Sequence, residues 1–178
     1  MHGADPRRPF RPVYDPQTGH GPTRDPRPGE VALQDMNLDP FARLTLDLCR
    51  WHFQTFASPE SHGWLVALRC ATAHVGPDAA GALCYDLLGV VQTLRASRTT
   101  PIAFNAEGCP CCRDWLTPAE RQIMQMIDAL RHNQQGRART LAQLLCDGTP
   151  DSHLLAVAET YLRRHAPDYA QTAAFSPV

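Results

Sequence analysis

Lysine is absent from this 178-residue sequence, and all seventeen basic side chains are arginine. Without lysine the chain has no amine to form a Schiff base and no lysine of the kind that P-loops use to bind phosphates, so both kinds of chemistry are excluded. Codon bias in a GC-rich genome explains the missing lysine without a functional reason, since alanine, proline and glycine are also abundant.

The sequence also lacks an excess of either charge, because its formal net charge is −1. Arginine and acidic residues balance locally as well, with five against five in 1–38, five against six in 39–112 and seven against seven in 113–178. A surface that follows the phosphates of DNA or RNA normally has a basic excess. The composition therefore disfavours nucleic acid as a partner.

A long apolar run is missing too. No window approaches the run of about 18 apolar residues that spans a membrane, and the start of the chain lacks the apolar core of a signal peptide. We therefore expect a cytoplasmic protein that does not enter membranes. Seven cysteines in such a chain favour reduced thiols or a metal site over a full set of disulfides.

The N-terminal segment, 1–38, contains seven prolines and five arginines but few large apolar side chains. Such a segment buries too little surface to offset the entropy lost on ordering, so we predict a disordered Pro/Arg-rich arm. If the arm binds a groove elsewhere, Phe10 and Tyr14 are its expected anchors. The last residues, 166–178, are expected to fray.

Between these ends, the sequence predicts an all-α fold, a small bundle of about five to six helices. Asp39 and Pro40 are typical of a helix start, and similar signals at Ser58-Pro59 and at Pro77 predict two more N-terminal helices within 39–98. Short connections favour antiparallel neighbours.

Helical signals then stop and resume. The segment 99–116 is too irregular for a helix and too short for a sheet, so it is predicted to be a Cys-rich connecting loop. C-terminal helices are predicted over 117–165, where Thr117, Pro118 and Glu120 form the capping-box pattern that starts a helix.

Three cysteines, Cys109, Cys111 and Cys112, lie within four residues of this loop. Thiolates are soft ligands, and a turn that brings several together can bind one zinc ion at about 2.3 Å. Cys109 and Cys112 have the two-residue spacing of zinc knuckles, so we predict them as the first pair. The remaining ligands are sought downstream, at Cys146, His132 and His153.

Other interpretations of the cysteines stay open. They are equally typical of small apolar residues buried in a covering loop, and their spacing also permits a redox-active dithiol. An iron–sulfur cluster is less favoured because it normally needs four thiolates. The cysteines at 49, 70 and 84 lie in apolar helical stretches, so they are assigned to the core.

The stretch Leu116-Thr117-Pro118-Ala119-Glu120-Arg121-Gln122-Ile123-Met124 resembles the opening of a LuxR-type helix-turn-helix domain. The resemblance covers about nine residues, and it implies a recognition helix between Ser152 and Arg164. That helix, however, has its apolar side chains along one face and its arginines at the far end. A capped amphipathic helix explains the same residues, and we favour it.

No arrangement of nucleophile, acid and base is recognisable in the sequence. The leading hypothesis is therefore a small regulatory or adaptor protein that binds a protein partner, with a structural zinc at the Cys loop. A DNA-binding transcriptional regulator that uses the C-terminal helices is the first alternative, and a thiol-redox or metal-dependent protein is the second.

Overall fold

The computed structural model describes residues 10–12, 24–149, 152–167 and 169. These residues contain six α-helices, which are α1 Pro40–Ala57, α2 Gly63–Val75, α3 Pro77–Ala96, α4 Pro118–Arg131, α5 Gln135–Leu145 and α6 Ser152–His165. They also contain four short strands, which are β1 Phe10–Pro12, β2 Val31–Ala32, β3 Ile102–Phe104 and β4 Trp115–Leu116. The predicted helical bundle is confirmed.

Two helices begin with the side-chain caps that the sequence predicts. Asp39 accepts a hydrogen bond from the backbone N–H of Ala42 at the start of α1. At the start of α4, the Thr117 hydroxyl accepts from the N–H of Glu120 while the Glu120 carboxylate accepts from the N–H of Thr117, so both bonds of the capping box are present. Local sequence therefore sets where these helices start.

The second helix begins later than its sequence signal. Ser58-Pro59 starts a single 3₁₀ turn, and His62 then takes a left-handed conformation with φ of 51° before α2 begins at Gly63. A Cβ on Gly63 would lie 2.5 Å from the carbonyl oxygen of Trp51. The glycine is needed because α2 crosses very close to the backbone of α1.

The core forms around α1, which packs against α2, α3 and α4, while α3 packs against α6 and α4 against α5. A buried hydrogen bond of 2.7 Å between Thr45 and Tyr161 joins α1 to α6. Leucines provide much of the apolar interior, including Leu48, Leu87 and Leu162. One continuous core therefore links the N-terminal and C-terminal helices.

Part of the predicted disordered arm packs on this core, and the rest, 1–9 and 13–23, lies outside the described residues, as does Tyr14. Phe10 is fully buried, with its ring stacked 4.5 Å from that of Phe53 and 5.6 Å from that of Phe56. Phe10 is thus an anchor, as expected, but it binds within its own chain. Most of the predicted frayed C-terminal tail also lies outside the described residues.

The connecting loop contains two strands where the sequence predicted none. Strand β3 pairs in parallel with β1, and β4 pairs antiparallel with β2. Each partner strand comes from the segment that was predicted to be disordered. Neither segment shows a strand pattern alone, because these two- and three-residue strands depend on each other for their hydrogen bonds.

The helix proposed for DNA recognition, α6, uses its apolar face inside the bundle. Leu154, Ala158, Tyr161 and Leu162 are buried, and the helix packs against α3. Near its end, Arg164 forms an ion pair of 3.0 Å with Asp86 of α3. None of the helices in the described part of the chain combines the length and apolar character that crossing a membrane requires.

Candidate metal centre

The three clustered cysteines share one small buried site. The Sγ atom of Cys109 lies 2.8 Å from that of Cys112 and 3.4 Å from that of Cys111, and the Sγ atoms of Cys111 and Cys112 lie 3.9 Å apart. All three residues are buried and form an apolar cluster separate from the main core. This cluster could hold a metal ion, because its three sulfurs converge on one point.

A sequence of tight turns brings the sulfurs together. The N–H of Cys109 donates to the carbonyl of Ala106, and the N–H groups of Cys112 and Arg113 both donate to the carbonyl of Cys109. The chain thus folds back on itself twice within eight residues, 106–113. Such turns satisfy the backbone while all three side chains stay on the same side.

The three thiols differ in their readiness to lose a proton. Burial raises the pKa of Cys109, but contacts from the thiols of Cys112 and Cys111 and from their backbone N–H groups outweigh it, so this pKa lies below its ordinary value. The pKa of Cys111 is raised, mainly by burial and to a smaller extent by contact with Cys109. The same two causes raise the pKa of Cys112 to about 12. Cys109 is therefore the thiol that ionises first.

Helix α1 supports the cysteine turn with an aromatic ring. A Cβ on Gly108 would lie 3.2 Å from the Trp51 ring, closer than most side chains tolerate. The glycine just before Cys109 lets the turn lie directly against α1. One side of the turn therefore rests on Trp51, while Gly108, Pro110 and Arg113 are exposed to solvent.

Arg50, also on α1, holds both flanks of the turn. Its side chain is fully buried, and its Nη1 donates to the carboxylate of Glu107 at 2.9 Å and to the carbonyl of Arg113 at 2.8 Å. Its Nη2 donates to the carbonyl of Trp115 at 2.6 Å. One guanidinium therefore fixes the backbone after the cysteines and a side chain before them.

The same guanidinium pairs with Glu120, which is fully buried on α4, at 2.8 Å. Burial raises the pKa of Glu120, while Arg50 and the backbone N–H groups of Thr117 and Asn105 oppose that rise. All of these partners donate hydrogen bonds, which is the environment of a carboxylate. Glu120 thus caps α4 and neutralises Arg50 at once.

A second arginine reaches the cluster from the N-terminal segment. Arg24 forms a two-pronged ion pair with Glu30, at 2.6 and 2.9 Å, and its guanidinium lies 5.9 Å from the centre of the Trp115 ring. It lowers the pKa of Cys112, against the larger effect of burial. The Nε atom of Arg24 is buried and has no hydrogen-bond partner among the described residues.

An open groove of about 550 Å³ lies beside the cluster. Its walls come from the N-terminal segment, α1 and the cysteine turn, namely Arg24, Ala32, Leu33, Gln34, Arg43, Cys111, Asp114 and Trp115. Cys111 is the cysteine of the cluster that lines it. The groove therefore gives the site a route to solvent.

The three downstream ligands that the sequence suggested lie elsewhere. Cys146 is buried in the main core at the end of α5, His132 is exposed at the end of α4, and His153 is exposed at the start of α6. Among the described residues, no such group joins the three clustered thiols within 4.8 Å of one another. Of the cysteines assigned to the core, Cys49 and Cys84 are buried and Cys70 is half-buried.

Sequence reasoning missed the residues that support the cluster. Arg24 and Glu30 fall in the segment predicted to be disordered, and Arg50 was not singled out. A signal for Arg50 exists, because it follows Leu46 by four residues on a helix and so shares the buried face of that leucine. A charged residue on a buried face implies a buried partner.

Comparisons with protein-family models, with curated proteins and with solved structures find no match to this chain. Proposals about its function therefore rest on its own residues and their geometry.

Proposed function

We propose that this chain binds one zinc ion through the thiolates of Cys109, Cys111 and Cys112, and that it acts as a regulatory protein through contact with a protein partner. The observation that carries the metal proposal is the convergence of three buried sulfurs within 3.9 Å of one another. Cysteine thiolate is a preferred ligand of zinc.

The distances between the sulfurs support a tetrahedral ion. Zinc–sulfur bonds of about 2.3 Å in tetrahedral geometry place the sulfurs about 3.8 Å apart. The separations of Cys111 from Cys109 and from Cys112, 3.4 and 3.9 Å, are close to that value. The third separation, 2.8 Å, has to widen by about 1 Å, which rotation of either the Cys109 or the Cys112 side chain achieves.

The surroundings of the cluster support negative charge on the sulfurs. Three thiolates and one Zn²⁺ ion leave a net charge of −1, and Arg24 lies beside Cys112. The buried Nε–H of Arg24 lacks an acceptor among the described residues, so this guanidinium keeps hydrogen-bonding capacity next to Cys112. Outer groups of this kind fix the orientation of metal ligands.

Two exposed apolar side chains on α2 support the protein-contact part of the proposal. The residues of α2 that are buried are the small ones, Gly63, Ala67 and Ala71, while Trp64 is 51% exposed and Val75 is 42% exposed. Large apolar side chains are normally turned inward, so Trp64 and Val75 are candidates for contact with a protein partner.

Metal analysis tests the zinc proposal. We expect about one zinc per chain in protein purified without chelator, and loss of that zinc in C109S and in C112S. The matched control is C70S, which removes a half-buried thiol on α2 and should leave the zinc content unchanged. Wild-type protein that takes up no zinc, even when zinc is added to the reduced chain, would refute the proposal.

A thiol-redox function is a second candidate, favoured by the 2.8 Å contact between Cys109 and Cys112 and by the lowered pKa of Cys109. In this case peroxide takes two electrons and two protons from the two thiols, so that a disulfide forms and water is released. Mass spectrometry separates the candidates. A Cys109–Cys112 disulfide that forms quickly in metal-free protein and equally quickly after zinc is added favours the redox function.

A further inference from the structure

The proposed zinc site has three protein ligands, and zinc normally takes four. Among the described residues, no histidine, carboxylate or further cysteine completes a group with the three thiols. Sites with three protein ligands keep the fourth position for an exchangeable ligand. The direction in which this fourth position faces decides what can bind there.

The groove beside the cluster indicates which way the fourth metal position faces. Cys111 is the cysteine of the cluster that lines it, and Arg24, which lies near Cys112, lines it as well. The groove therefore meets the cluster on the side of Cys111. A volume of about 550 Å³ is within the range of pockets that hold small molecules.

The groove also offers a cation for an incoming ligand. Arg43 of α1 lines it with a side chain that is 37% exposed. The Nε of Arg43 donates to Asp47 at 2.8 Å and its Nη2 donates to Glu107 at 3.4 Å. Its Nη1 has no hydrogen-bond partner among the described residues, so it can donate to a ligand. Arg24, by contrast, is committed to Glu30 through both terminal nitrogens. A carboxylate in the groove would therefore pair with Arg43.

We infer that the fourth position of the metal faces this groove and takes the thiolate of a small molecule that also bears a carboxylate, which Arg43 binds. The inference rests on the proposed zinc site. Thiolate is the ligand that matches the three already present, since a soft site favours a soft donor. On binding, the thiol gives its proton to the buffer, and its sulfur displaces the exchangeable water from the fourth position. The groove is therefore a binding site for a thiol ligand.

Cobalt(II) is the probe for this site, because thiolate-to-cobalt absorption increases with each thiolate bound. The full-length reduced chain is loaded with one cobalt per chain and titrated separately with N-acetylcysteine, 2-mercaptoethanol and cysteamine. Each apparent Kd is expressed per thiolate at the working pH. We expect all three thiols to increase the absorption, and N-acetylcysteine to bind about threefold more tightly than 2-mercaptoethanol, which is the size of an exposed ion pair.

Variants of Arg43 test the role of the carboxylate. R43Q should bind N-acetylcysteine and 2-mercaptoethanol equally, while R43K, which keeps the charge, should retain most of the preference. The control R69Q removes an exposed arginine from α2 and should retain all of it. Cobalt content is measured for each variant, so that loss of the site is not mistaken for loss of the preference.

The outcomes separate the two proposals. If cobalt does not bind, the proposed metal site is wrong. If cobalt binds and no thiol changes the absorption, or if the thiols remove the cobalt, the metal site stands and the open position is wrong. If all three thiols bind equally in the wild type, or if R43Q keeps the preference for N-acetylcysteine, the role of Arg43 is wrong.

Discussion

Acid should destabilise the fold through one buried histidine, His52 of α1. Its side chain is only 3% exposed, and neither ring nitrogen has a hydrogen-bond partner among the described residues. Burial alone lowers the pKa of His52 from 6.5 to about 4. Protonation therefore favours the unfolded chain, in which the imidazole is in water.

The sign and size of the effect follow from the two pKa values. The contribution of His52 is fully present above pH 6.5, decreases as the pH falls, and reaches its full loss below about pH 4. A difference of about 2.5 pKa units corresponds to about 3 kcal/mol, of which about 2 kcal/mol is lost between pH 7.5 and pH 5. That loss is a large share of the 5 to 15 kcal/mol, roughly, by which small proteins are stable.

Urea unfolding at a series of pH values measures this loss. In H52L, which cannot titrate at this position, stability should change by about 2 kcal/mol less than in the wild type between pH 7.5 and 5. The control H74Q removes an exposed histidine from α2 and should keep the wild-type dependence. If H52L shows the same dependence on pH as the wild type, the assignment to His52 is wrong.

Two other substitutions test how the loop and the N-terminal segment are held. R50M should destabilise the fold by about 3 to 5 kcal/mol because it leaves Glu120 buried without its cation. In urea unfolding, the double variant R50M/E120Q should lose less stability than the sum of the losses in the two single variants. Additive losses would contradict this coupling. F10A should lower the free energy of unfolding by about 3 kcal/mol in the same measurement, because it empties a fully buried site against Phe53. A loss below about 0.5 kcal/mol would show that the segment is not anchored there.

The helical part of the fold was predictable because its signals are local. The cap at Asp39 and the capping box at Thr117 mark the helix starts, and the spacing of the apolar residues gives the buried faces. The start of α2 was misplaced because it depends on a distant contact. Gly63 lies against the backbone of Trp51, and no local pattern in the sequence shows that approach.

The four strands were not predictable, since each is only two or three residues long. Val31 pairs with Leu116, and Phe10 pairs with Ile102, far away along the chain. Strands of this length have no periodicity of their own, and their hydrogen bonds depend on the tertiary structure that places the two segments side by side. Composition alone does not show that Phe10 is fully buried, because the burial of one side chain depends on contacts with residues far away in the sequence.

The site was half predictable. The three cysteines stand together in the sequence, so their convergence required only a tight turn. The charged residues around them come from the N-terminal segment, α1 and α4, and their sequence neighbours do not show that they meet. The structure places the further ligands suggested at Cys146, His132 and His153 apart from the three thiols, and their part in metal binding stays a prediction.

The buried ion pair explains why the cysteine turn keeps its shape. An arginine and a glutamate in a protein interior contribute little net stability, because burying two charges offsets most of their attraction. Their geometry is nevertheless exacting, since Arg50 donates to Glu107, Glu120 and two carbonyls from one rigid guanidinium. Methionine or leucine of similar volume would fill the space without holding either flank of the turn. The pair therefore contributes more to the defined geometry of the turn than to the stability of the fold.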